Sequence, residues 1–195
     1  MQTNNLTDVH TGYFQIQDHL ALDYRPIEAP ATPSSVQPDE SPLFGLLGEL
    51  HLLDHDSQHL LRQIGERDRN LAAYLKILGK RVELIGRALA SQMAEDMGTP
   101  VEVTLSEAGI TFPAHDALPV GQWINLRLLL PTPIGLSAPA QIAACLRDDA
   151  SGLHLIQVSF DQFNDAQHQL LARHIMHKQA QDIRAAKENH ERTST

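Results

Sequence analysis

From Leu71 to Leu89 the chain places aliphatic residues at Leu71, Leu75, Leu78, Val82, Ile85 and Leu89, in steps of 4, 3, 4, 3 and 4. Alternating steps of three and four put all of them on one side of an α-helix, in the rhythm of a coiled-coil seam. A strand cannot use that period, because its side chains change face at every residue. Upstream, Leu46, Leu50, Leu53, Ser57, Leu60 and Ile64 step in the same way. The two registers meet across Arg67 and Asp68 with two successive steps of four, a stutter that relaxes a supercoil locally. Arg67, polar and near the seam, costs stability and helps to fix register.

Between Gln58 and Met97 there is no proline, and Gly98 followed by Pro100 reads as a helix stop. The spacing therefore predicts one long helix over residues 56–97, of about 40 residues and about 60 Å. Ser41-Pro42 opens a shorter apolar helix, LFGLLGELHLL, with serine as N-cap and proline at the first helical position. Asp54 and Asp56-Ser57 offer fresh caps, which places a break there. Beside the seam, Gly65, Ala72, Gly79 and Gly86 recur every seven residues. A glycine inside a helix costs about 1 kcal/mol relative to alanine, so a line of them suggests close approach of another helix backbone. The alternative to self-association is that the long helix packs on its own domain. A domain of the remaining size is only about 30 Å across, so such a helix would overhang it. The expectation is a homo-oligomer through Leu60, Ile64, Leu71, Leu75, Leu78, Val82, Ile85 and Leu89, a tetramer in preference to a dimer.

After Pro100 the period changes. VEVTL, GITF, WINLRLLL, APAQIAACLR and GLHLIQVSF are short β-type runs separated by turn signals, which points to a small barrel or sandwich. An earlier, weaker strand signal lies in YFQIQDHLALDYRPIE and ends at Pro26. Residues 29–42 hold four prolines and almost nothing apolar, and read as a linker. A closing helix is expected over about Asn164 to Lys187, with Leu170, Leu171, Ile175 and Ile183 as a partial apolar stripe.

With 5% aromatic residues, the core must be mainly aliphatic. A net charge of −9 without any basic cluster argues against a nucleic-acid polymer as partner. The one cysteine, Cys145, lies in the apolar run AQIAACL and reads as a small buried residue. The first residues, MQTNNLTDVH, lack the basic and apolar regions of a signal peptide, and no stretch is apolar enough to insert into a membrane, so a cytoplasmic location is expected.

The segment VEVTLSEAGITF resembles part of a known family. Thr104-Leu105-Ser106-Glu107-Ala108-Gly109 is similar to the (Asp/Asn)-x-Ser-x-x-Gly turn of bacterial PilZ domains. The turn lies between two early strands, as in that family, and the later strands and closing helix follow the same order. The resemblance covers about residues 13–28 and 100–182. It implies a six-stranded β-barrel with a C-terminal helix, mainly β with α, into which the long helix is inserted after the first strand. It also implies a place in cyclic di-GMP signalling. In the family, that nucleotide is held by an Arg-x-x-x-Arg segment before the first strand and by the turn. Arginine's planar fork suits guanine edges and phosphates. Here Gln17 to Arg25 contains a single arginine, Arg25, followed by proline, and Thr104 stands at the acidic or amide position. Ser106 and Gly109 remain, but as residues of an ordinary turn. Asp18 and Asp23 add negative charge nearby. Cyclic di-GMP is accordingly not expected as a cofactor.

His51, His55 and His59 share a helical face, as do His174 and His177, but a polar stripe is the simpler account and no metal site is assigned. No catalytic signature is present, and Asp148-Asp149 reads as a hairpin turn. The organisation expected is a flexible N-terminus (1–12), a barrel with its helix (13–28 and 100–187), a linker (29–41), a helical oligomerisation insert (42–98) and a polar tail (188–195). The function expected is a non-enzymatic signalling adaptor that binds itself and other signalling proteins. Two alternatives are a cyclic di-GMP receptor with arginines such as Arg62, Arg67 or Arg69 supplied by another segment or subunit, and a metal- or pH-responsive helical assembly.

Overall fold

The computed structural model describes residues 12–29, 42–131, 134–160 and 163–193, without the side chains of residues 55, 56 and 188–193. The expected linker and the Ser41 cap lie outside the described residues, apart from the linker's first position. So does the expected N-terminal segment up to residue 11.

Six strands close into an antiparallel barrel: β1 (Ile16–Ile27), β2 (Val101–Leu105), β3 (Gly109–Ala114), β4 (Trp123–Leu130), β5 (Ile134–Arg147) and β6 (His154–Ser159), in the order β1-β2-β3-β6-β5-β4. The first strand does double duty. Its first half pairs with β2, from Ile16 opposite Leu105 to Leu20 opposite Val101. Its second half pairs with β4, from Ala21 opposite Leu129 to Ile27 opposite Trp123. Alternation decides which residues face in. Ile16, Asp18 and Leu20 point inward on β1, and Ile124, Leu126 and Leu128 do so on β4. The core is aliphatic, as the composition requires, with Phe112 and Phe160 among the few rings in it.

The third helix, α3 (Asp165–Thr193), lies against the barrel through Leu170, Leu171 and Ile175. It begins with a reciprocal capping box: the Gln167 N–H donates to Asn164 Oδ1, and the Asn164 N–H donates to Gln167 Oε1, both at 2.9 Å. Its backbone stays helical to Thr193, through most of the expected polar tail.

Two helices, α1 (Pro42–Arg67) and α2 (Arg69–Met97), lie between β1 and β2. This corrects the expectation of one helix over 56–97. The chain breaks at Asp68, where the seam stutters, and folds back into a hairpin. Asp68 has extended backbone angles, and its carboxylate accepts from the Asn70 and Leu71 N–H groups at 2.9 and 3.0 Å. An aspartate on those first free N–H groups is a strong helix start. At Asp54 to Ser57, where the break was expected, α1 continues. There the Ser57 hydroxyl donates to the Asp54 carbonyl within the helix, at 2.7 Å, instead of capping a new one. The helix stop at Gly98 is where the sequence places it.

The base of the hairpin sits on the outer face of the barrel, across β1, β4 and β5. Phe44, Leu47, Ala90 and Met93 bury themselves there with Ala21 and Leu129. Gly135 of β5 makes that seat possible. A Cβ on it would stand 2.8 Å from the Phe44 ring and 2.9 Å from the Phe44 carbonyl oxygen. The Arg127 guanidinium also lies over the Phe44 ring, 5.5 Å from the centroid and paired with Asp23. Among the described residues no helix is long and apolar enough to cross a membrane.

Candidate functional site

Two regions compete as the functional site: the β2–β3 turn and the open face of the hairpin. In the turn, Ser106 is fully buried. Its N–H donates to the Gly109 carbonyl at 2.9 Å, and its hydroxyl oxygen accepts from the Ala108 and Gly109 N–H groups at 3.3 and 3.2 Å. The Ala108 carbonyl in turn accepts from the Phe160 N–H. The polar groups that could meet a ligand are thus spent inside the fold, as hydroxyl-bonded turns do. Thr104 exchanges hydrogen bonds with Gln17 of β1 at 2.9 and 3.2 Å.

Arg25 does not join this turn. On β1 it lies opposite Asn125, whereas the turn lies beyond the other end of that strand, past Ile16. At ~3.3 Å per residue, Arg25 is roughly 26 Å along the strand from Gln17. Arg62, Arg67 and Arg69 lie towards the hairpin tip, the end away from its seat on the barrel. Immediately before β1, next to the turn, stand the exposed rings of Tyr13 and Phe14.

Asp18 and Asp23 are not the free negative charges expected from the sequence. Asp23 is paired with Arg127. Asp18 is buried, with Oδ2 at 2.7 Å from His174 Nε2 of α3. Burial pushes the Asp18 carboxyl up. The His174 hydrogen bond, the His19 N–H and the charges of His174 and Lys178 outweigh that, and hold it below the usual carboxylate value. The one signal in sequence was an acidic residue at an inward position of an alternating strand.

The hairpin is different in kind. Its two helices touch where Ala72 of α2 lies beside Gly65 of α1 and again at the base, yet clefts of about 420 and 530 Å³ run between them. Leu50, Leu53, Leu61, Ile64, Leu75 and Val82 line these clefts. Gly79 and Gly86 would meet nothing within 4 Å if given a Cβ. Their small size is therefore not required by packing inside one chain. The seam faces sideways from the hairpin. Ile64, Leu75, Leu78 and Leu89 are half-buried, while Leu60 (58%), Leu71 (46%), Val82 (49%) and Ile85 (69%) are exposed. Leu43, Leu46 and Leu53 extend the exposed apolar surface along α1.

His51 and His59 lie on α1, and the side chain of His55 lies outside the described residues. Among the described residues no three metal-ligating side chains gather.

The PilZ domain family model matches residues 79–177. That span takes in β2 to β6 and most of the part of α3 that packs on the barrel, but not β1, which closes the barrel. Among solved structures, a tetrameric PilZ protein of Xanthomonas campestris, self-assembled via a helical bundle, is similar with a TM-score of 0.57 and 19% identity. The match covers 90% of this chain and 95% of that one, and shows a shared fold. The Bacillus subtilis inhibitor of motility matches at 0.39 and 16% identity, over 42% of each chain. The PilZ domain of Escherichia coli YcgR with c-di-GMP matches at 0.35 and 13%, over 46% of this chain and 79% of that one. No curated protein matches the sequence.

Proposed function

Because this chain belongs to the PilZ domain family, we propose that it is a self-assembling adaptor in cyclic di-GMP-related signalling, and that it works through protein contacts instead of holding the nucleotide itself. The observation that carries this is the hairpin's bare apolar face, with leucines exposed on α1 and leucine, isoleucine and valine exposed on α2, beside an unfilled cleft. Contiguous apolar surface of that kind marks an association site. The self-assembly of the Xanthomonas campestris relative through a helical bundle supports the same reading, since the two chains match over most of their lengths. A tetramer suits the surface better than a dimer, because four hairpins can enclose more of it.

The turn supports the second half of the proposal. Its serine and glycine bond to each other and the core, the arginine pair is missing, and Arg25 is on a distant part of β1. Nothing in this arrangement offers bidentate donors to a guanine or a phosphate. The module is a binding and assembly device, without a role in catalysis.

Molar mass in solution by light scattering tests the first half. A multiple of the 21.6 kDa chain mass is expected, four-fold for the tetramer, and a monomer at micromolar concentration would overturn it. Calorimetric titration with cyclic di-GMP tests the second half. Sub-micromolar binding would favour the alternative receptor, with Arg62, Arg67 or Arg69 delivered from a neighbouring copy.

A further inference from the structure

We infer that a groove on the outer wall of the barrel, beside the β2–β3 turn, receives a lysine or arginine side chain of a partner protein. The inference rests on the adaptor reading above and adds to it the surface that meets the partner and the partner's chemistry.

The groove comes from a parting of two strands. Among the described residues, β2 and β3 pair at Thr104 with Thr111 and at Leu105 with Ile110, and no further. In the continuing register Glu102 would face Pro113, which has no N–H to give to a ladder. A cavity of about 470 Å³ opens there. Gln15 and Gln17 line it, and so do Asp148 and Ser151 of the β5–β6 turn. The exposed Tyr13 and Phe14 immediately precede Gln15.

The lining has two kinds of surface. Pro113, Leu153 and Leu155 are half-buried and apolar. Glu102 and Asp148 are carboxylates, and no lysine, arginine or histidine is among the described lining residues. His19, opposite Glu102 on β1, and Arg147, next to Asp148, lie outside the lining. The Ser151 hydroxyl donates to the Asp148 carboxylate at 2.6 Å, and the Ala150 and Ser151 N–H groups donate at 3.1 and 3.3 Å. These bonds hold the Asp148 carboxyl below its ordinary value, so it stays charged.

A lysine or arginine matches both surfaces at once, because its stem is apolar and its end is cationic. The same charges turn other occupants away. A phosphate group would meet two carboxylates. A second copy would bring a chain of net charge −9 against a groove of the same sign. A basic segment of a different protein is the complementary occupant.

The test uses the full chain and a short dye-labelled peptide of alternating lysine and threonine, read by fluorescence anisotropy. The same peptide with glutamate in place of lysine is the reference. The wild type is expected to bind the lysine peptide and not the glutamate one. Glu102→Gln with Asp148→Asn, which keeps the side-chain sizes and the turn's acceptor, should weaken binding by at least about tenfold. Glu49→Gln with Glu66→Gln removes the same charge from α1 and should change it by less than about twofold. Equal loss in the two variants would overturn the inference, since binding would then follow net charge alone. A wild type that binds neither peptide, or both alike, would overturn it too. These outcomes leave the adaptor reading standing. Sub-micromolar binding of cyclic di-GMP that displaces the peptide would remove that reading and this inference together. A smaller assembly for Glu102→Gln with Asp148→Asn, seen by light scattering, would make the groove a contact between copies and sink the inference with self-assembly intact.

Discussion

Asp18 Oδ2 and His174 Nε2, 2.7 Å apart and both buried, join the first strand to the last helix across 156 positions of sequence. Removing the carboxylate leaves a histidine facing an apolar interior. Asp18→Ala should therefore destabilise the fold by about 3 kcal/mol, the lower end of the cost of breaking a buried ion pair. The effect should depend on pH. The Asp18 carboxyl is held below its ordinary value of 3.8 in the fold. Its contribution is then full above the unfolded value and is lost as pH falls through the folded one. Urea midpoints of wild type and variant should lie apart at pH 7 and converge as pH drops below about 4. A gap that stays constant with pH would separate Asp18 from this role.

Gly135→Ala should loosen the hairpin seat and leave the barrel intact. The new methyl would stand within 3.0 Å of Phe44 ring and backbone atoms, so α1 must shift. Overpacking of this kind costs about 1–3 kcal/mol. Faster hydrogen exchange in residues 44–52, with β4 and β6 unchanged, is the expected signature. Wild-type exchange there would mean that the approach is not needed.

Val82→Glu with Ile85→Glu should at least halve the assembly mass. Both side chains are exposed within one chain, so each change should alter the stability of a single chain by no more than about 0.5 kcal/mol. Light scattering and thermal unfolding on the same samples separate the two effects. Unchanged mass would remove the seam from the interface.

Ser106→Ala should destabilise the barrel without any bearing on nucleotide. The substitution strips the Ala108 and Gly109 N–H groups of their acceptor in a buried turn, at about 1–3 kcal/mol. Cyclic di-GMP should shift the melting temperature of neither wild type nor variant. A shift in the wild type that the variant lacks would return the turn to ligand binding.

Much of this fold was legible because its signals were local. Alternation marked the strands, Gly98 and Pro100 ended α2, and Leu170, Leu171 and Ile175 marked the helix that seals the barrel. The hairpin was less legible because a heptad seam has the same period whichever chain provides its partner. The stutter at Arg67–Asp68 recorded the reversal, but an aspartate at that point reads equally as a break in register. The small-residue line was read as a sign of close backbone approach. Of its members, Gly65 would find Ala72 nearby, whereas Gly79 and Gly86 face open space. Gly135 closes PTPIG, one of the turn signals between the β-type runs, and only the position of Phe44 explains a glycine inside β5. The Asp18–His174 pair was out of reach for a different reason, since no periodic pattern links residues so far apart in the chain.

Because β1 pairs with both β2 and β4, the barrel can close only when the N-terminal strand meets strands made much later. Residues 28–100 separate β1 from β2. Closing so long a loop from a disordered chain is slow and entropically costly. The helical hairpin changes that kinetic problem. Its contacts are local, and it brings Phe44 near its start against Met93 near its end, with α2 reaching β1 at Ala21 and α1 packed mainly on β5. Once formed, it shortens the effective loop several-fold, which recovers about 1 kcal/mol of closure entropy. The element that exposes the association surface thus also draws together the two ends of the longest connection in the barrel.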